Sequence, residues 1–177
     1  MKLRLGSVFV LGLSFAACGG DDGGSGGPSR ASDAIKESIQ VQCDRAHECK
    51  ASYDPAMHDG DTFDSIYGAT PDACYDSIIT LIDQFQPGYF DDLDAAVSGG
   101  RVTYNSGDFG TCLGALESAS CDAFFEQNGM SITEPPQCDT ALMGTVAAGG
   151  ACTLSDECAG DNLCDIPDGA TMGTCAP

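Results

Sequence analysis

The cysteines are the residues of this sequence best suited to chemistry, because a thiol can form a disulfide, bind a metal or act as a nucleophile. The chain contains 11 cysteines, an odd number, and only two histidines. No Cys-x2-Cys spacing occurs, so the pattern favours disulfides over a zinc site. If Cys18 has a separate role, the other cysteines can all pair, which predicts up to five disulfides and an oxidising compartment. The predicted disulfide cysteines are Cys43, Cys49, Cys74, Cys112, Cys121, Cys138, Cys152, Cys158, Cys164 and Cys175.

The two histidines are the candidates for acid–base catalysis. A hydrolase would use His47 or His58 with a nearby aspartate. His47, however, lies among charged residues beside an apolar stripe, which is typical of a solvated surface histidine. The sequence Gly23–Gly27 matches the nucleophile-elbow spacing only because it is rich in glycine, and neither a P-loop nor a dinucleotide fingerprint is present. We therefore predict no catalytic residues and keep a hydrolase as an alternative.

A loop rich in aspartate offers the one candidate for a metal site. Asp59, Asp61 and Asp64 surround Gly60, and clustered carboxylates are ligands that Ca²⁺ prefers. The spacing is not that of an EF-hand loop and no glutamate closes it, so a solvated turn is favoured. We predict no metal or cofactor, with a calcium-dependent binding module that uses the Asp59–Asp64 loop as an alternative.

The N-terminal residues have the organisation of an export signal. Lys2 and Arg4 precede the apolar segment Leu5–Ala17, which is shorter than the roughly 20 residues that a membrane-spanning helix needs. The sequence that follows, Phe15-Ala16-Ala17-Cys18, resembles the lipobox of bacterial lipoproteins, with phenylalanine where leucine is usual.

That resemblance implies cleavage before Cys18 and a lipid on its side chain. The protein would then be anchored to a bacterial cell envelope, and Gly19 favours the outer membrane, on its periplasmic or its surface-exposed side. The alternative is an ordinary secretory signal cut after Ala17.

The charge of the chain limits its partners. The formal net charge is −20 at pH 7, and loss of Lys2 and Arg4 with the signal peptide makes the remainder more acidic still. A strongly acidic protein is repelled by nucleic acid and by anionic lipid surfaces. We therefore predict no nucleic-acid partner, and expect an envelope protein or polysaccharide instead.

The predicted architecture is mainly α: a small disulfide-stapled helical bundle followed by a loop-rich, disulfide-rich C-terminal module with little short β. Residues 1–17 form the signal peptide, 18–32 the lipidated cysteine and a flexible Gly/Ser linker, 33–129 the helical domain, 130–143 a second linker, and 144–177 the small module.

Apolar periodicity and capping residues define the helices. The first is predicted to begin at Ser32 as N-cap and to end near Lys50. The second follows Thr70 as N-cap and ends before Pro87, and shorter helices cover 89–97 and 108–119, with an extended piece at 102–104. The predicted buried stripes are Ile35, Ile39, Cys43, Ala46 and Cys49 on the first helix, and Cys74, Ile78, Leu81, Ile82 and Phe85 on the second.

The number of cysteines also constrains how they pair. The helical domain holds five, so at least one must pair outside it, and Cys138 is the nearest partner. We predict a bond between Cys121 and Cys138. Cys43 and Cys49 then pair with Cys74 and Cys112, in an order that the sequence leaves open.

The C-terminal cysteines carry two further resemblances. Gly144, Val146 and the cysteines 152, 158, 164 and 175 resemble the tail of a group of cysteine-rich envelope lipoproteins from myxobacteria and related deltaproteobacteria, apart from an extra glycine at 149–150. That group has no established activity. The tail is also similar to Dickkopf-type, colipase-like domains, which implies bonds Cys152 to Cys164 and Cys158 to Cys175. Together these features predict a non-enzymatic binding or structural module on the cell surface or in the periplasm.

Overall fold

The computed structural model describes residues 27–58, 60–125 and 136–177. Within them the protein is mainly α-helical, with short strands and five disulfides, as predicted. No helix in these three ranges is both long and apolar enough to cross a membrane. The helices are α1 (Ala31–Glu48), α2 (Phe63–Tyr67), α3 (Pro71–Phe85), α4 (Tyr89–Ser98), α5 (Ser106–Ser118), α6 (Cys121–Phe125) and α7 (Pro136–Ala141), and the strands are β1 (Val102–Tyr104), β2 (Leu142–Gly144), β3 (Ala151–Cys152), β4 (Leu163–Asp165) and β5 (Gly173–Ala176). Single 3₁₀ turns lie at Lys50–Ser52, Pro55–Met57 and Ser155–Glu157.

Helix α1 is the central element, and α3, α4 and α5 all pack against it. Its predicted apolar stripe is confirmed, since Ile39, Cys43, Ala46 and Cys49 are buried. The predicted N-cap is wrong, because the helix already begins at Ala31. The Ser32 backbone N–H and hydroxyl both donate to Asp94 of α4, at 3.1 and 2.7 Å. A carboxylate from another helix thus replaces the local cap at the positive end of the helix dipole.

Helix α3 begins as the sequence predicts but is less deeply buried. The Thr70 hydroxyl accepts a hydrogen bond from the Ala73 backbone N–H, and Pro71 occupies the first turn. The predicted stripe is only partly correct, because Leu81 and Phe85 are 47% and 61% exposed. The face that meets α1 includes Ile79 as well as Ile78 and Ile82. Helix α3 is therefore rotated about its axis so that Leu81 lies away from α1. The spacing of apolar residues along α3 does not determine this rotation.

The segment predicted as a second linker is instead part of the core from Pro136 onward. Helix α7 packs against α5, and β2 pairs with β1 in an antiparallel register that matches Val102 with Gly144 and Tyr104 with Leu142. Ala141 and Leu142 are each only 2% exposed. Residues 130–135 of the predicted linker lie outside the described residues.

The helical part contains the disulfides Cys43–Cys74, Cys49–Cys121 and Cys112–Cys138. The predicted bond between Cys121 and Cys138 is therefore wrong. Cys138 does pair with a cysteine of the predicted helical domain 33–129, but that cysteine is Cys112. Helices α5 and α7 lie side by side, which brings the Cα atoms of Cys112 and Cys138 to 4.8 Å. Cys121 opens α6 at the C-terminal end of α1, where it meets Cys49.

The C-terminal module is a small antiparallel sheet in the order β3-β5-β4. Its disulfides are Cys152–Cys164 and Cys158–Cys175, the two pairs that the Dickkopf-type resemblance implied. Its interior consists of these bonds and Val146. The Gly144 backbone lies directly against the Cys158 backbone, since a Cβ atom on Gly144 would stand 2.2 Å from the Cys158 carbonyl oxygen.

Candidate functional surfaces at the two ends of helix α1

The chain enters the folded part beside the N-terminus of α1. The Gly27 backbone N–H donates to the Ser106 carbonyl at 2.9 Å, and the Tyr104 hydroxyl donates to the Pro28 carbonyl at 2.5 Å. A Cβ atom on Gly27 would lie 2.6 Å from the Ser106 oxygen, so only glycine fits this contact. Residues 27–28 are therefore held against Tyr104 and Ser106.

Helix α1 separates two ends of the molecule. With 18 residues it is about 27 Å long. At its N-terminus, which we call the entry end, Ala31 packs with Leu93, Val102, Leu142 and Leu154, so the C-terminal module joins the bundle there. At its C-terminus lies what we call the aromatic end, which consists of His47, Tyr53, His58, Phe63, Tyr67 and Phe125.

Both histidines belong to the aromatic end and serve its packing. His47 is half-buried, and not solvated as expected. Its ring meets Phe63 edge-on at 5.0 Å, and its Nε2 lies 3.1 Å from the Tyr67 carbonyl oxygen. A carbonyl oxygen can only accept, so this nitrogen is the donor.

His58 stacks on Tyr53 with the ring centroids 4.6 Å apart. Its Nε2 is inaccessible to solvent and has no hydrogen-bond partner among the described residues. In those residues neither histidine ring hydrogen-bonds to a carboxylate, the contact on which the hydrolase alternative depends.

The aspartates of the calcium alternative lie on the surface near this end. Asp64 accepts a hydrogen bond from Lys50 at 2.6 Å, so its charge is already paired, and Asp61 is exposed. Asp59 lies outside the described residues. Within the described ranges, the only group of three potential metal ligands in close proximity is Cys152, Cys158 and Cys175, whose sulfurs form disulfides.

The entry end contains a buried ion pair that sequence reasoning missed. The Arg101 guanidinium donates to both carboxylate oxygens of Glu157, at 2.9 and 2.6 Å, and to the Ala151 carbonyl. The Glu157 side chain is only 3% exposed and also accepts from the Thr153 backbone and hydroxyl. Arg101 is the one lysine or arginine after Lys50, and this isolation was the clue available in the sequence.

The pKa values at this junction follow from its geometry. Burial alone would raise the pKa of Glu157, but the hydrogen bonds and charge of Arg101, with the bonds from Thr153, outweigh it and hold the pKa below its usual value. Burial raises the pKa of neighbouring Asp156, and the negative charge of Glu157 raises it further. Arg101 and Glu157 thus neutralise each other at the junction.

The unpaired charge on the described surface is almost entirely negative, because the Lys and Arg side chains already have partners. Each of the five described Lys and Arg side chains contacts a carboxylate or an aromatic ring. The contacts are Arg30 with Asp94, Lys36 with the Phe90 ring, Arg45 with Glu48, Lys50 with Asp64 and Arg101 with Glu157. Most of the other aspartates and glutamates therefore face water without a counter-charge.

Large apolar side chains are exposed in both parts of the protein. In the helical part they are Met57, Ile66, Leu81 and Phe85, and in the C-terminal module they are Leu163, Ile166 and Met172. Alongside Leu81, a shallow depression of about 510 Å³ follows the outer side of α3. It is wide open and formed by a single helix, unlike the enclosed pockets that hold small ligands.

Comparison of the chain with protein-family models, with curated proteins and with solved structures finds no match.

Proposed function

We propose that this protein is an exported bacterial lipoprotein, held to the cell envelope by a lipid on Cys18, whose folded part is a non-enzymatic binding or structural module. The observation that carries the proposal is the use of the cysteines. The five disulfides take every cysteine from Cys43 onward, and Cys18, the eleventh, precedes the described residues. Five disulfides are typical of an oxidising compartment, and the apolar segment before Cys18 supplies the route to it.

The attachment geometry supports a short tether. If the mature chain begins at Cys18, the residues between it and Gly27 are all glycine, serine or aspartate. For a Gly/Ser-rich sequence of that length, the predicted root-mean-square extent is about 16 Å. The folded part would then lie close to the membrane, attached by its entry end, with the aromatic end on the opposite side of the domain.

The surface and scaffold support binding over catalysis. Three disulfides link helices to one another, and Cys152–Cys164 links the two outer strands of the C-terminal sheet. A scaffold already ordered before binding pays less conformational entropy on association. The two histidines are engaged in packing at the aromatic end.

The experiment is an intact-mass measurement on protein extracted from membranes, before and after alkylation without reductant. We expect a chain that begins at Cys18, a mass increment of lipid size, and no alkylated thiols. A Cys18→Ser variant is the matched control, and it should lose the increment while it retains all five disulfides. An unlipidated wild-type chain would contradict the anchor, and several alkylated thiols would contradict the oxidising compartment.

A further inference from the structure

Helix α3 exposes two large apolar side chains on one face. Leu81 and Phe85, which we call the α3 pair, are 47% and 61% exposed, and residues four apart in a helix are neighbours on its surface. The aspartates of this helix lie on its opposite side, about 160° or more around the axis from the middle of the pair. They are Asp72, Asp76 and Asp83. The pair is therefore an apolar face away from the helix's own charges.

The α3 pair lies towards the entry end of α1. Helix α3 starts beside the C-terminal half of α1, where Cys74 is bonded to Cys43. Three residues after Phe85 the chain enters α4, and there the Phe90 ring centroid lies 4.5 Å from the Lys36 ammonium nitrogen in the second turn of α1. Helices α1 and α3 therefore run antiparallel, which places the C-terminal end of α3 near the N-terminus of α1.

The proposed lipid anchor would hold the same end near the membrane. Eight residues separate Cys18 from Gly27, and a chain of that length spans at most about 30 Å when fully extended. Gly27 is held against Ser106 at the entry end. If Cys18 carries the lipid, the entry end stays within that distance of the bilayer, whereas the aromatic end lies about 27 Å further along α1.

The size of the α3 pair favours a lipid surface over a protein partner. Two partly exposed side chains offer about 200 Å² of apolar contact, whereas a stable protein interface buries about 800 Å² on each side. A second copy of this acidic chain would also be repelled. An anchored domain needs less contact area, because a short tether keeps the effective concentration of the membrane surface in the millimolar range.

We propose that the α3 pair inserts into the interface of the bilayer that holds the Cys18 lipid, where zwitterionic lipids do not repel the acidic domain. This inference rests on the proposed function, because the lipid supplies the tether. Leu81 and Phe85 bury their apolar surface at the boundary between headgroups and acyl chains. This second contact sets the orientation of the domain and leaves the aromatic end facing away from the membrane.

Tryptophan fluorescence tests the proposal, because the chain contains no tryptophan. Phe85→Trp places a single probe in the α3 pair. Met57→Trp is the matched control, since Met57 is 54% exposed next to His58 of the aromatic end. Each lipidated variant is reconstituted into vesicles of phosphatidylethanolamine and phosphatidylcholine with brominated acyl chains, which quench tryptophan at short range. We expect quenching at position 85 to exceed that at position 57 at least about fivefold.

A second substitution tests whether both side chains insert. In a Leu81→Ser background, the quenching at position 85 should fall at least about threefold, because a large part of the inserted apolar area is lost. Ile66→Ser is the matched control, because it removes an exposed apolar side chain of α2, and it should leave the quenching unchanged. An alkylation mass measurement verifies that each variant retains its five disulfides.

The proposal is overturned if position 85 is quenched no more than position 57, or if the Leu81→Ser background does not reduce the quenching. A shift of the emission to shorter wavelength that grows with protein density on the vesicles, without quenching by bromine, would indicate contact with a second copy. That result would also overturn the proposal.

Failure of the anchor is distinguishable from failure of insertion. An unlipidated chain that begins at Cys18 offers its Cys18 thiol for coupling to a maleimide lipid in the same vesicles, because the other cysteines form the five disulfides. If the protein from cells lacks the lipid and the coupled Phe85→Trp chain is quenched, only the anchor is contradicted. If the protein from cells is lipidated and position 85 is not quenched, only the insertion is contradicted.

Discussion

Replacing Arg101 by methionine should destabilise the protein and change how its stability depends on pH. The Arg101→Met substitution keeps most of the apolar stem and removes the guanidinium that neutralises Glu157, a carboxylate with only 3% of its side chain exposed. Breaking a buried ion pair from one side typically costs about 3–5 kcal/mol. Because the arginine side chain is 37% exposed, solvent screens part of the interaction. We therefore expect a loss of about 2–4 kcal/mol in the free energy of unfolding at pH 7.

The dependence on pH distinguishes this mechanism from a loss of packing. In the wild-type protein the pKa of Glu157 is lowered from 4.5, so its contribution is present at neutral pH and is lost as the pH falls below 4.5. In Arg101→Met the burial of Glu157 remains without its counter-charge, so we expect its pKa to be raised instead. Acidification then protonates the carboxyl and relieves the cost. The difference in stability between the two proteins should therefore shrink as the pH falls from 7 towards 4.

The assay is urea unfolding with the disulfides intact, at pH 7, 5.5 and 4. Arg30→Met is the matched control, because Arg30 pairs with Asp94 but is 59% exposed. This control should cost less than about 1 kcal/mol, as surface ion pairs do. A loss below about 1 kcal/mol for Arg101→Met at pH 7, or a difference that does not shrink on acidification, would refute the reasoning about Glu157.

Three further predictions concern the disulfides and the aromatic end. Replacing both cysteines of the Cys49–Cys121 bond by alanine should lower the free energy of unfolding by about 0.7 kcal/mol more than the same change at Cys43–Cys74. The reason is that the first bond closes a loop of 72 residues and the second a loop of 31, and a longer loop restricts the unfolded chain more. Equal losses in urea unfolding would contradict this loop-entropy argument. His47→Phe should lower the free energy of unfolding by about 1 kcal/mol more than His58→Phe, because among the described residues only the His47 ring makes a hydrogen bond. A larger loss for His58→Phe in urea unfolding would contradict this reasoning. Millimolar calcium should leave the melting temperature unchanged if the loop 59–64 is a solvated turn, whereas a rise of several degrees, absent with magnesium, would favour the calcium alternative.

Tertiary packing explains where the predictions from sequence failed. The stripe on α3 was expected to bury Leu81 and Phe85, but α1 covers an arc that runs through Ile79. A helical stripe limits the buried face to a range of angles, and the partner helix selects within that range. The sequence favours Cys121, the last cysteine of the predicted helical domain, as the partner of Cys138, whereas the packing of α7 on α5 brings Cys112 to it in space.

Several local elements and the number of disulfides could be predicted from the residues alone. Thr70 and Pro71 define the start of α3, because a capping hydroxyl and a fixed φ act within one turn of helix. Residues 33–129 contain five cysteines, so full oxidation required a bond to a cysteine outside that range, whatever the fold. Long-range packing places residues 136–144 in the core, brings Arg101 to Glu157, and leaves Leu81 and Phe85 exposed. These features depend on contacts between residues far apart in the chain, and a local pattern of residue types does not show which distant residues will pack against a given segment.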